Sequence, residues 1–395
     1  MMATLILNPE AEARVRAGHP WIMRHEVAKT RGQVRDGDVV AVEGRKGDHL
    51  GMATVNTRSR ILARIYTRDD RPLDRDFLAD RIRAAIAYRR QVLGLGPEGG
   101  VRWVFSESDG LPGLIVDQYG PCLVIQLLTL AMDQRRQVLL EILDGILSPA
   151  IVVERSDVPA RQAEGLEEVR QLWKGELAGP VEIDECGVRY LADPLGGQKT
   201  GFFLDQRENR MLVRPLSAGR RVLDAFCYTG GFAVAAAVGG ATEVVGIDSS
   251  SAALKLAREN ARRNRVAERC VFLEADVFDQ LRQMEKSGER FGLIVLDPPA
   301  FAKSKRNLEG AYRGYKEINL RALRLLAPGG VLVTCTCSHH MTEELFHEML
   351  RDAARDCAVR LRLLRKTTQA SDHPILLGMP ESQYLKCFWV TPLDE

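Results

Sequence analysis

Five short apolar runs recur between residues 222 and 337: VLDAF (222–226), EVVGID (243–248), CVFLEAD (270–276), LIVLD (293–297) and VLVTCTC (331–337). Residues 232–238, 251–264, 277–286, 311–326 and 342–357 carry helical spacing. Strands this apolar bury both faces, and a helix after each one calls for parallel pairing with helices on the two sides. Residues 360–365 and 384–390 read as two last strands. The C-terminal half therefore predicts an α/β domain with a mostly parallel seven-stranded sheet. In such a sheet ligands bind beyond the carboxyl ends of the strands. Four of the five runs end in or near an acid there: Asp224, Asp248, Asp276 and Asp297.

The first strand passes into its helix through DAFCYTGGF, 224–232. Gly230 and Gly231 let backbone approach a ligand, and the following helix offers unbonded N–H groups. The G-x-G-x-x-G of a nicotinamide-binding turn is absent; a plain strand–helix turn is the other alternative. Asp248 ends its strand about 20 residues on, where a carboxylate accepts hydrogen bonds from ribose hydroxyls. Asp276 ends the next and is placed to take an adenine amino group. Any one of these acids could instead be a helix N-cap, Asp248-Ser-Ser-Ser most readily, but four in register favour a ligand. The arrangement resembles the class I S-adenosylmethionine-dependent methyltransferases, and DAFCYTGGF resembles their first motif. The resemblance implies a Rossmann-like domain binding S-adenosylmethionine (SAM), with Asp224 near its cationic end and Phe226, Gly230, Asp248 and Asp276 as further contacts. GGQKTGFFLDQREN, 196–209, resembles the segment that closes over the cofactor in rRNA methyltransferases of this kind. Phe202, Phe203, Gln206 and Arg207 are its candidates, with core packing the alternative for the phenylalanine pair.

The fourth strand ends in DPPAF, 297–301, followed by AKSKRN. Asp-Pro-Pro makes a rigid turn that aims the acid and its neighbouring carbonyls into the cleft. Phe301 is the candidate to stack on a flipped base. Lys303, Lys305 and Arg306 either hold phosphate or form an exposed basic loop. VLVTCTCSHHM, 331–341, brings Cys335 and Cys337 to the same sheet edge. Cys335 is assigned to the strand interior. Cys337, followed by Ser338, His339 and His340, stands at the strand end, where a reactive thiolate is placed. Such a thiolate has a use: C5 of cytosine is too weak a nucleophile to take a methyl group unaided. Addition of sulfur at C6 makes the ring an enamine whose C5 can attack a methyl sulfonium. Asp297 is the candidate to stabilise that adduct at N3, while His339, His340 and water stay open as acceptors of the C5 proton.

The 395 residues are too many for one ordinary core and predict two or three domains. The net charge of +2 is unevenly spread, +5 over residues 1–100, −7 over 101–190 and +4 beyond. A polyanion would touch the two ends and avoid the middle. No apolar run reaches membrane-span length and Pro9 and early acids break any secretory signal, so the expected location is the cytoplasm. Eight cysteines are scattered without a C-x-x-C pair, so no metal site is expected. Residues 3–68 alternate apolar runs with glycine turns, as in a small β-barrel or sandwich. AGHPWIMRHEV, 17–27, sets Arg24 and His25 beside a Gly-His-Pro-Trp element. The pattern resembles the PUA domain, an RNA-binding barrel, with Trp21 more a core anchor than a stacking platform. Residues 74–93 read as a helix with Phe77, Ile82, Ile86 and Leu93 on one side and arginines on the other, a solvated face with phosphate contact as the alternative. Residues 101–190 alternate strands with one helix near 133–147, an α+β connector expected to join the ends and shape a cleft.

PUA-like start, acidic connector, DAFCYTGGF, DPPAF, TCTCS and a late SDHP (371–374) together resemble the RlmI-type bacterial 23S rRNA 5-methylcytosine methyltransferases across essentially the whole chain. That implies a PUA-like domain over 1–70, a connector over 71–190 and a methyltransferase domain over 191–395. It also implies 23S rRNA as partner, a homodimer, and Arg24, Phe301, Lys303, Arg306 and His373 on the RNA. Other RNA cytosine-C5 enzymes carry a second cysteine after the Asp-Pro dipeptide. Here Pro299-Ala300 stand there, an absence the RlmI-type family shares, so Cys337 would act alone. The competing readings are an rRNA guanine-nitrogen methyltransferase, which needs no thiol, and a non-catalytic RNA-binding assembly factor with a vestigial cofactor fold.

Overall fold

The computed structural model describes residues 2–302 and 305–393, and Lys303 lies outside the described residues. The chain forms two compact units: residues 1–183, 192–204 and 371–382 make one, and 184–191, 205–370 and 383–395 the other.

The second unit is built on seven strands: β1 (Arg221–Ala225), β2 (Glu243–Asp248), β3 (Cys270–Glu274), β4 (Phe291–Leu296), β5 (Leu326–Thr336), β6 (Leu361–Thr367) and β7 (Lys386–Pro392). They lie in the order β3-β2-β1-β4-β5-β7-β6. Only β7 runs against its neighbours, between β5 and β6. Its helices are α1 (Arg207–Leu216), α2 (Gly231–Val238), α3 (Ser251–Arg263), α4 (Val277–Lys286), α5 (Leu308–Leu325) and α6 (Glu343–Asp356). Leu223, Ile247, Ile294 and Leu332 of the strands are buried against Tyr315 of α5 and Phe346 of α6. Val222, Val244, Leu293 and Val333, which point to the opposite face, are buried too, and burial on both faces is why the strand sequences read as unbroken apolar runs. β5 starts five residues before the expected 331 because Leu326 pairs with Phe291 and the register then slips. Pro328, Gly329 and Gly330 occupy the slip, and in the sequence they read as a loop. The strand order reverses at β1, between β2 and β4, and this places the ligand edge of an open sheet at the ends of those three strands.

The first unit holds a six-stranded sheet within residues 4–67. Its two edge strands, Trp21–Met23 and Val27–Arg31, are consecutive in the chain, joined only by Arg24–Glu26. A three-residue link between opposite edges requires the sheet to curl on itself, as a barrel does. Trp21 is half-buried and donates its indole N–H to Glu107 (2.8 Å). A five-stranded sheet, Val101–Phe105 to Val169–Lys174, and the helices Arg75–Ala87 and Arg136–Leu147 form the remainder.

Arg89, read as part of a solvated arginine face, is fully buried where the helix continues into a wider-wound turn, Tyr88–Val92. Its guanidinium grips both oxygens of Asp109 (2.6 and 2.9 Å) and the carbonyls of Arg102 and Asp372 (both 2.9 Å). Removing one partner of a buried pair strands the other charge. Arg89→Met should cost roughly 3–5 kcal/mol in urea unfolding; a loss below about 1 kcal/mol would show that Asp109 finds solvent without it.

Candidate active site

The exit from β1 is an unusual piece of backbone. Phe226 (φ 67°), Tyr228 (φ 49°) and Gly230 (φ 76°) are all left-handed. Glycine takes this conformation freely, while each other residue pays roughly 1–2 kcal/mol. Hydrogen bonds hold the turn: Cys227 N–H to the Ile247 carbonyl (2.9 Å) and Gly230 N–H to the Cys227 carbonyl (2.8 Å). Asp248 adds a third, accepting the Tyr228 N–H at Oδ2 (2.9 Å), and its Oδ1 accepts the Ser250 N–H (2.9 Å). Asp248 thus fixes the turn and keeps lone pairs for a ligand. Asp276, expected on adenine, is exposed and caps α4 through the Asp279 N–H (3.1 Å). The cap of α3 is Ser250, not Asp248.

Asp224 is 1 % exposed. Its Oδ2 accepts the Ala233 N–H in the first turn of α2 (2.8 Å), and its buried Oδ1 has no hydrogen-bond partner among the described residues. Burial pushes its carboxyl well above the usual range, and Asp297 and Asp248 push it further. Asp297 follows β4, with its N–H on the Ala225 carbonyl (3.4 Å).

Cys335 is fully buried, opposite Cys387 in the β5–β7 register, and burial pushes its thiol well up. Cys337 is half-buried, one residue past the end of β5. Its turn is pinned by neutral hydroxyls. Ser338 N–H donates to Thr336 Oγ1 (3.2 Å), and Tyr315 Oη lies 2.8 Å from Thr336 Oγ1 and 3.0 Å from Ser338 Oγ. Ala302 N–H donates to Ser338 Oγ (3.3 Å), tying the DPPAF segment to the turn that carries Cys337. Phe301, the stacking candidate, sits half-buried with its ring 4.6 Å from Tyr315, 5.8 Å from Phe278 and 6.3 Å from Phe226. It is therefore an edge of an aromatic cluster joining the β1 and β4 exits, not a freely projecting ring. Phe301, Phe278 and the exposed Arg306 line a groove of about 570 Å³.

Gln206 is buried and accepts from Asn209 Nδ2 (2.6 Å), and Arg207 is buried 4.0 Å from Glu185. Phe202, Phe203, Arg24 and His373 belong to the first unit. Phe202 is buried there. Phe203 lies under the Lys199 ammonium (4.3 Å), and exposed Arg24 donates to the Thr57 carbonyl. His373, expected on RNA, is 2 % exposed, with Nδ1 2.9 Å from Asp372 and its ring 5.4 Å from Phe105. Such a place fits a packing role, which corrects the expectation.

Residues 161–375 match the family model described as S-adenosylmethionine-dependent methyltransferase, and residues 5–68 match a PUA-like domain. A protein named ribosomal RNA large subunit methyltransferase I from Aeromonas salmonicida is 43% identical over 93% of this chain and 94% of its own. Its namesake from Aeromonas hydrophila is 42% identical over 98% of each. The chain belongs to the ribosomal RNA large subunit methyltransferase I family. The fold of this family member also matches a protein from Streptococcus mutans described as a SAM-dependent methyltransferase (TM-score 0.85, 21% identity, 100% of both chains). A methyltransferase complexed with SAH gives a TM-score of 0.86 at 21% identity, again over 100% of both chains.

The residues at this edge fit SAM. An orphaned, buried carboxylate oxygen on Asp224, beside two further acids, suits a cationic ligand, and Asp248 keeps acceptor capacity for hydroxyls. Without ligand, the Asp224 carboxyl holds its proton above the ordinary range; a bound cation favours the carboxylate. SAM binding should therefore release up to one proton, and affinity should fall as pH drops through the raised value. Titration calorimetry in buffers of different ionisation enthalpy reads this, and Asp224→Asn should erase the buffer dependence. Equal enthalpies for the unmodified protein in every buffer would remove Asp224 from the binding equilibrium.

Proposed function

We propose that the chain methylates C5 of a cytosine in 23S rRNA through a covalent adduct between Cys337 and C6. Support comes above all from the Ala302–Ser338 hydrogen bond, because it joins the segment after Asp297 to the turn of Cys337. Cys335, the thiol two residues earlier on β5, is sealed inside the sheet.

SAM supplies an electrophilic methyl group on its sulfonium. The protein's part is to activate the base. The Cys337 thiolate adds to C6, and the electron pair of the C5–C6 double bond becomes available at C5. Asp297, in its acid form, would donate to N3 and take up the charge that would otherwise build there. Once C5 carries the methyl group, a base removes its proton, the electrons re-form C5–C6 and the thiolate leaves. The acceptor is His339, His340 or water. The PUA-like part over 1–70 with Arg24, and Phe301 and Arg306 beside the catalytic edge, contact the RNA; the connector over 71–190 and the domain over 191–395 complete the division of labour. The extruded base would meet the aromatic edge of Phe301.

Cys337→Ala should abolish methyl transfer and leave SAM binding within about twofold, since the thiol acts only on the base. RNA carrying 5-fluorocytosine should give a covalent complex mapping to Cys337, because fluorine does not leave as the C5 proton does. An active Cys337→Ala enzyme or an adduct on Cys335 would refute the assignment. Methylation without any adduct would point to guanine nitrogen instead.

A further inference from the structure

Lys386 opens β7 and pairs across the sheet with Thr336, the last residue of β5. It is 7 % exposed. Its Nζ donates to the carbonyls of Ser338 (3.1 Å) and Tyr384 (3.4 Å). Among the described residues no carboxylate lies within ion-pair distance of it. A buried ammonium has lost most of its hydration, and two carbonyl dipoles replace only part of it. Such a cation is normally matched by an anion. Ser338 directly follows Cys337, so the bond to its carbonyl anchors the charge on the turn that carries the thiol.

The other groups facing this pair are few. On α5, Tyr315 is pushed up by burial and further by Cys337. In the first turn of α6, Glu343 is already paired with Lys366 (2.5 Å), and Glu344 is exposed. His339 and His340 follow in the turn, the first exposed and the second half-buried. Burial depresses the Lys386 ammonium, and Cys337 is the first charge that opposes this, ahead of Glu343 and Glu344.

We propose that Lys386 is a positioning residue whose buried ammonium holds the Cys337 side chain as a thiolate and fixes the Cys337-Ser338 turn. The thiol proton goes to solvent and Lys386 keeps all three of its own, so the product is an ammonium–thiolate pair. Its purpose rests on Cys337 being the nucleophile; the pairing itself does not. A thiolate held this way is ready to add to C6 and is also a better leaving group when the adduct collapses.

The test is the pH dependence of Cys337 alkylation by iodoacetamide in the full-length protein, read by mass spectrometry of the peptide containing it. The unmodified protein should show a midpoint at least about one unit below the ordinary thiol value of about 8.5. Lys386→Met should raise the midpoint by about one to two units, and Lys386→Arg should recover most of that shift. The acid limb of the kcat/KM profile should move with it, while SAM binding stays unchanged and reports an intact fold. A midpoint at or above about 8.5 in the unmodified protein overturns the proposal, whatever the variants do. So does an unchanged midpoint in a SAM-binding Lys386→Met protein. A low, Lys386-dependent midpoint together with an active Cys337→Ala enzyme would keep the pair and sink the nucleophile.

Discussion

Asp224 sits almost fully buried at the end of the central strand, one oxygen held by the first turn of α2 and the other without a hydrogen-bond partner among the described residues. Two more acids, Asp248 and Asp297, crowd the same edge and raise its proton affinity. This follows from topology. Parallel strands bring all their carboxyl ends to one side, and the reversal of order at β1 sets β2 and β4 on its two flanks. Like charges in a half-buried place destabilise one another unless a proton or a cation joins them. The strained turn at 226–230 belongs to the same arrangement, because Asp248 spends an oxygen on holding it. Binding of a cationic cofactor and stability of the edge are thus one electrostatic problem.

The second half of the site depends on where β5 ends. Residues two apart in a strand share a face, so an extra pair of strand residues would have hidden Cys337 along with Cys335. The strand stops at Thr336, whose hydroxyl closes a small network with Tyr315 and Ser338. Cys337 is released from the sheet by one residue, and the DPPAF segment is tied to it through Ala302. Lys386 reaches the same turn from the antiparallel strand.

The parallel sheet was legible because burial on both faces leaves apolar runs that helices separate. Its less regular features were not. The start of β5 was hidden by Pro328, Gly329 and Gly330, which look like a loop until Leu326 finds Phe291. Gly230 announced a turn, but nothing local marks Phe226 and Tyr228 as left-handed; bonds from β2 impose it. Capping was an open alternative for each acid; Asp276 takes that role for α4, while Ser250 and not Asp248 caps α3. Arg89, Tyr315 and Lys386 carry no signal at all in sequence. Their partners lie 13 to 283, 21 to 23 and 48 residues away respectively, apart from local helical or strand-end contacts. His373 failed for the opposite reason: a motif suggested a contact surface, and packing against Phe105 gives it an interior.

The central claim is that this edge delivers a methyl group to carbon 5 of a cytosine. The direct measurement is nuclease digestion and mass mapping of unmodified 23S rRNA after incubation with the purified protein and isotopically labelled SAM. The label should appear as 5-methylcytosine at a single position. Label on guanine, or none in a protein that binds SAM normally, would contradict it.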